Sequence, residues 1–457
     1  MTAPASTFAA SPALPGGDLV RDVVAKAKAA GADAADAVAF EGAALAGGYR
    51  LGAIEDLERS EGRDLGLRVF IGRRQAFVSS TDWSARGLDG LVERALAMAR
   101  VAPEDPYCGL AEAGLLAKDF PDLDTDDSEE PSAGRLLDLA REAESAALAV
   151  PGITNSEGGG ASWSRSTVYL ATSAGFFGSY TGSRHSVSCS VLAGEGLGME
   201  RDHDSASARH SGDLESAAAV GRRAAERALR RLKPRAVGTK SVPVLFDPRV
   251  GTSLVGHLLS AISGSSIARG TSFLKDRMGE AVMARGLTVI DDPHRRRGLA
   301  SKPFDGEGLA NRRMALVEDG VLRTWLLDTA SARQLKLAPT GHAARGTGGP
   351  PHPSATNVHL EAGPVTPAEL MADIREGLYV TDLIGFGVNG VTGDYSRGAA
   401  GLWIENGALA YPVNEVTIAG NLKDMFRALA AANDLEFRYG LNVPTLRVDG
   451  MTVAGPG

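Results

Sequence analysis

The chain has 457 residues, a net charge of −8, 44% apolar and 23% charged residues, and only 5% aromatics. At ~150 residues per domain this length predicts two or three domains with sizeable cores, and the ordinary charged and apolar fractions exclude wholesale disorder. The acidic balance argues against a general nucleic-acid binder, while 56 glycines without a G-x-y period exclude collagen and call for many turns and hairpins.

Cys108 and Cys189 are the only cysteines, too far apart in sequence for a CxxC site, so a reducing compartment is expected. No apolar run approaches a membrane span of ~18 residues. Residues 1–17 are Ala/Ser/Pro-rich without an apolar signal-peptide core and read as a disordered lead-in, so a cytoplasmic location is expected. Asp18 opens an amphipathic helix with Leu19, Val20, Val23, Val24 and Ala27 on one face and Gly31 as its stop. Residues 36–80 read as strands, clearest where Leu65, Leu67, Val69 and Ile71 alternate before a turn at Gly72–Arg74. A helix from Leu88 to about Val101 completes a first α/β unit, 18–125.

Residues 119–131 hold seven acids and two prolines. They lack the glycine and terminal Glu of an EF-hand and read as a solvated linker. A second unit, 126–236, is expected to contain a helix over Gly134–Ala149, short strands over 163–210 and a helix over Asp213–Leu232. The arginines in the last half of that helix suit its dipole. From 237 to 457 the texture becomes hairpin-rich. Ser241–Phe246 reads as a strand and Arg249–Ile262 as a helix. Asp319-Gly320, Asn406-Gly407 and Asp449-Gly450 are hairpin signals, because type I′ turns need positive φ at both central residues. Further helices are expected at 329–337, 366–376 and 421–434. The fold class is α+β: two N-terminal α/β units, then a large antiparallel-sheet domain.

Self-sufficient catalytic motifs are missing. The eight histidines include no His-Glu pair and no i, i+4 pair, so a helical zinc site is not expected. No G-x-S-x-G elbow is present; Ser272-Phe-Leu-Lys275 matches S-x-x-K without its companions. Gly385-Phe-Gly-Val-Asn-Gly390 matches G-x-G-x-x-G, but no helix is expected after it to meet a pyrophosphate.

Several ordered segments nevertheless resemble the TldD/PmbA family, in its PmbA (TldE) branch. They include Leu65-Gly-Leu-Arg-Val69, Gly270-Thr-Ser-Phe-Leu274, Leu316-Val-Glu-Asp-Gly320 and Thr340-Gly-His-Ala343. Gly385 to Gly398 (GFGVNGVTGDYSRG), Tyr411 to Leu422 (YPVNEVTIAGNL) and Pro444-Thr-Leu-Arg-Val448 complete the series. The resemblance implies a two-subunit intracellular metalloprotease that trims or degrades unfolded peptides. Its TldD branch carries a helical His-Glu-x-x-x-His motif and a C-terminal cysteine, and those helical positions fall here on Val255, Gly256 and Ser260. No cysteine follows Cys189. The expectation is therefore a chain with no catalytic or metal residues and no cofactor of its own, paired with a zinc-bearing TldD-like subunit or with itself. An extended peptide would be held by strand addition; no membrane or direct nucleic-acid contact is expected. Thr340, Gly341, His342, Gly387, Asn389, Thr392, Asp394 and Ser396 are the expected cleft-lining or partner-facing residues. The alternative is a stand-alone homodimeric regulator of a toxin–antitoxin or DNA gyrase system.

Overall fold

The computed structural model describes residues 16–456; residues 1–15 of the expected lead-in lie outside the described residues. The first helix, α1 (Gly16–Ala29), begins at Gly16 rather than Asp18 and buries the expected apolar face. Three strands follow, β1 (Ala34–Arg50), β2 (Ala53–Ile71) and β3 (Arg74–Ser80), then α2 (Ala85–Val101) and α3 (Ala133–Leu148). Next come β4 (Ile153–Thr172), β5 (Phe177–Ala193), β6 (Glu200–Ala208) and α4 (Ala217–Arg230). Ser84, Ser132 and Ser216 cap α2, α3 and α4, each accepting a hydrogen bond from a backbone N–H three residues on. Such a cap contributes about 1 kcal/mol and sets where each helix starts.

The strands on either side of residue 125 belong to one sheet, in the order β3-β2-β1-β4-β5-β6, because β1 pairs antiparallel with β4 from Asp36↔Thr172 to Tyr49↔Gly159. Alternation along the strands divides the work. Ala35, Ala37, Ala39, Leu65, Leu67 and Val69 pack under the first two helices. Val38 and Leu170 face the other way, against Phe176 and Phe304, and so dock the C-terminal half. The helices lie close to the sheet and to each other: a Cβ on Gly159 would overlap the carbonyl oxygen of Ala140, and one on Gly221 that of Ala143. Beyond Leu65, β2 outruns β3, leaving residues 53–63 as an exposed edge. Glu55, Asp56, Glu58 and Glu61 make that edge a poor template for accidental strand pairing.

The second half contributes β7 (Lys240–Phe246), α5 (Pro248–Ala261), α6 (Gly264–Ala268), β8 (Val289–Asp291), β9 (Met314–Glu318), β10 (Val321–Leu322) and α7 (Thr329–Leu335). It continues with β11 (Ala343–Ala344), β12 (His352–Pro353), β13 (Val358–Leu360), α8 (Pro367–Met371), β14 (Glu376–Ile384), β15 (Asp394–Glu405) and β16 (Ala408–Asn421). The last elements are α9 (Leu422–Arg427), β17 (Leu429–Ala431), β18 (Leu441–Asn442) and β19 (Leu446–Ala454). The main sheet runs β16-β15-β14-β7-β19-β17, and an added β16–β19 pairing closes five of its strands into a ring. Closure removes free edges. A large core of α5, the ring and the β10-β9-β8-β13-β18 sheet fills this half. The α+β class holds.

The helix expected over 366–376 shrinks to Pro367–Met371, with β14 starting at Glu376, and three further expectations need correction. Asp319-Gly320 and Asn406-Gly407 are hairpin turns with positive φ at both residues. Asp449-Gly450, by contrast, is a bulge inside β19, where Val448↔Val244 is followed by Met451↔Val242; pairing with β7 on both sides holds the strand straight through. The helix expected over 421–434 stops at Arg427, since Leu429–Ala431 is captured by β19. The acidic linker is solvated only in part: Asp119, Asp122, Glu129 and Glu130 are exposed, while its middle is clamped. Arg165 grips Asp126 through two hydrogen bonds of 2.8 and 2.7 Å, and Arg297 holds Asp124 at 2.6 Å.

The two halves meet over a buried charge cluster. Asp36 and Arg68, opposite each other on β1 and β2, are joined at 2.5 Å, and Arg345 from the second half closes on the same carboxylate. Burial opposes ionisation of Asp36, yet Arg345 and Arg68 outweigh it and hold the carboxyl below its ordinary value. Glu307 lies beside this cluster and accepts the N–H of Thr329 at 2.8 Å.

Candidate functional site

Helix α5 carries the positions singled out by sequence. Asp247 caps it by accepting from the N–H of Arg249, and Pro248 occupies the first turn, where its missing N–H costs nothing. Val255 is 1% exposed and belongs to the core. Gly256 has open space where a side chain would stand, and the Ser260 hydroxyl donates to the Gly256 carbonyl at 3.0 Å. A valine, a glycine and a hydroxyl bonded within its own helix do not fit a zinc ion, which takes imidazole, thiolate or carboxylate ligands. Among the described residues, no group of three or more His, Cys, Asp or Glu side chains is arranged to hold a metal.

A cavity of about 320 Å³ opens over the N-terminal half of this helix. Arg249, Thr252 and Ser253 of α5 form one wall, with Arg201, Asp202 and His203 of β6 opposite; Arg231, β14 and Arg397 of β15 complete it. Most of these charges are matched. Arg249 donates to Asp202 at 2.7 Å and to the Thr381 carbonyl at 2.9 Å, Arg231 reaches Asp382 at 3.1 Å, and Arg201 reaches Glu157 at 3.0 Å. Burial disfavours the Asp202 carboxylate, but the hydrogen bond and charge of Arg249 with the charge of Arg231 keep its carboxyl below the ordinary range. Burial, reinforced by Arg249, also depresses the His203 imidazole.

The expected cleft residues fall into two places. Gly387, Asn389, Thr392, Asp394 and Ser396 share one loop and the start of β15. Asn389 Oδ1 accepts from the N–H of Val391, Thr392 Oγ1 donates to Asp394 at 2.6 Å, and the Ser396 N–H donates to the Gly387 carbonyl at 2.7 Å. This self-bonded loop presents Phe386, 98% exposed, with Ile384 and Val391 also open to solvent. Thr340, Gly341 and His342 lie elsewhere. His342 is 2% exposed, its Nε2 3.0 Å from Asp291 and its Nδ1 2.8 Å from the Thr340 hydroxyl. Asp291 also accepts from the N–H and hydroxyl of Thr356 at 2.9 and 2.6 Å, so this row braces the 340–344 segment inside the chain.

Ser272 is likewise structural: buried, it donates to the Ala261 carbonyl at 2.6 Å. The arginines of the cavity escaped sequence reasoning because they come from elements up to about 200 residues apart. One available signal was the spacing of Tyr395 and Arg397, which puts both on one face of a strand.

Three family models match in order along the chain: the PmbA/TldA metallopeptidase domain 1 over residues 48–99, central domain over 126–232 and C-terminal domain over 239–455. The chain is 40% identical over 408 residues to the metalloprotease PmbA of Escherichia coli O157:H7, covering 89% of each, and 38% identical to a PmbA homologue of Haemophilus influenzae with the same coverage. A solved candidate modulator of DNA gyrase from Bacteroides thetaiotaomicron superposes with a TM-score of 0.89 at 25% identity, over 96% of this chain and 98% of that one. The TldE structure from Thermococcus kodakarensis superposes at 0.85 with 19% identity, over 96% of this chain and 100% of that one, which extends the likeness of fold. No described helix is long and apolar enough to cross a membrane. The chain belongs to the PmbA/TldD metallopeptidase family.

Proposed function

We propose that this chain is the metal-free subunit of a cytoplasmic, two-subunit peptidase, and that it shapes the peptide cleft while a TldD-like partner supplies zinc and the water-activating residues. The observation that carries this reading is the chemistry of α5: Val255 faces the core, Gly256 has no side chain, and Ser260 is bonded to its own helix. None can ligate zinc or act as a general base. The exposed Ile384, Phe386 and Val391 give the reading a partner-facing surface, since apolar groups clustered on one loop mark interaction sites. Unfolded peptides would enter as extended strands held through backbone hydrogen bonds.

The test is co-expression with a TldD-like subunit carrying His-Glu-x-x-x-His, followed by metal analysis and peptide cleavage of each chain alone and of the pair. Co-purification, zinc in the partner only, and cleavage only by the pair are expected. Stoichiometric zinc in this chain alone, or chelator-sensitive cleavage by it, would refute the reading. A stand-alone regulatory role draws support from the Bacteroides neighbour described as a candidate gyrase modulator; cleavage by the pair decides against it.

A further inference from the structure

We infer that the cavity over α5 is a carboxylate site that takes the C-terminal end of an extended peptide, with Arg397 as the pairing cation and Tyr395 and His257 as the polar neighbours of that arginine. The inference deepens the peptidase-subunit reading and rests on it for the choice of ligand.

The first ground is charge matching. Of the four arginines lining the cavity, Arg201, Arg231 and Arg249 each grip a carboxylate of the chain, whereas Arg397 has no ion pair among the described residues. The second ground is a knot of unpartnered polar atoms at that arginine. Arg397 Nε, Tyr395 Oη and His257 Nε2 are all buried without a hydrogen-bond partner among the described residues. Buried polar groups are nearly always satisfied, and leaving one unpaired costs ~1–3 kcal/mol; of these three it is Arg397 that lines the cavity, with Tyr395 and His257 as its neighbours. They belong together: Tyr395 and Arg397 are two apart on β15, and the His257 ring stands edge-on to Tyr395 with centroids 6.0 Å apart. Burial, then the charge of Arg397, depresses the His257 imidazole, which leaves it a neutral hydrogen-bonding group.

The third ground is shape. A guanidinium fork matches the two oxygens of a carboxylate, and ~320 Å³ is at the small end of ligand pockets, a size that a chain end fills. Leu383 lines the cavity, and the exposed Ile384 and Phe386 that follow it offer apolar contacts to the residues preceding the carboxylate.

The experiment measures binding of two fluorescein-labelled pentapeptides to the full chain without any partner. They have one apolar sequence and end in a free carboxylate or a carboxamide; a third carries the amide end and an internal Glu. The acid-ended peptide is expected to bind at least tenfold more tightly than the amide. Arg397→Gln should remove that difference, Tyr395→Phe should reduce it several-fold with the fold intact, and Arg285→Gln on the exposed surface should leave it unchanged. Equal binding of acid and amide, or a difference that survives Arg397→Gln, overturns the site. Equal binding of the internal-Glu peptide overturns the chain-end assignment. Because no partner is present, failure here leaves the co-purification and cleavage results untouched, and failure of those leaves this binding difference standing.

Discussion

Glu307 converts the buried seam between the two halves into a measurable pH dependence. Burial first, then the neighbouring Asp305 charge, pushes its carboxyl from 4.5 up to about 7, against the opposing pull of Arg68. Its folded value lies above its unfolded one, so the protonated acid is the form tied to the native state. That stabilisation is fully present below pH ~4.5 and is lost as pH rises through ~7. The gap of 2.5 (7 − 4.5) at ~1.36 kcal/mol per pH unit amounts to about 3 kcal/mol. Glu307→Gln keeps a carbonyl oxygen for the Thr329 N–H and removes the titration. Urea unfolding of parent and variant, followed by the fluorescence of the buried Trp325 and Trp403, should give similar stabilities at pH 5. By pH 8.5 the variant should be the more stable by about 3 kcal/mol. A separation that stays constant from pH 5 to 8.5 would show that Glu307 is ionised throughout and that its burial is compensated in another way.

Asp36→Asn should cost about 3–5 kcal/mol, read as a lowered urea midpoint, because Arg68 and Arg345 would remain buried without their shared carboxylate. Gly221→Ala should destabilise by about 1–3 kcal/mol, since the new methyl must push α4 away from the Ala143 carbonyl; an unchanged midpoint would contradict the close crossing. Phe386→Ser should leave stability within ~0.5 kcal/mol while weakening co-purification with a TldD-like subunit, because the ring touches solvent in the free chain. Burial pushes the Cys189 thiol up to about 12, so a thiol reagent at pH 8 should reach it only after unfolding, whereas the half-buried Cys108 reacts in the native protein.

The sequence by itself determined what depends on near neighbours. Periodicity placed the buried face of α1, apolar spacing marked the long helices, and Asp319-Gly320 and Asn406-Gly407 made their turns because the left-handed backbone they need is a local property. The absence of ligand-type side chains at 255, 256 and 260 is equally a statement about residue identity. Tertiary structure decided whatever rests on distant partners. Asp449-Gly450 has the same turn chemistry as the other two pairs, yet β7 runs alongside and holds it as a bulge. Of the seven acids between the N-terminal units, all of which look solvated in the sequence, Asp126 and Asp124 are held by Arg165 and Arg297 from elsewhere in the chain. His342 has the composition of a site residue and is packed against Asp291. Arg397 is one arginine among many in the sequence; only the fold shows that its neighbours have spent their charges on carboxylates of the chain and that it has not.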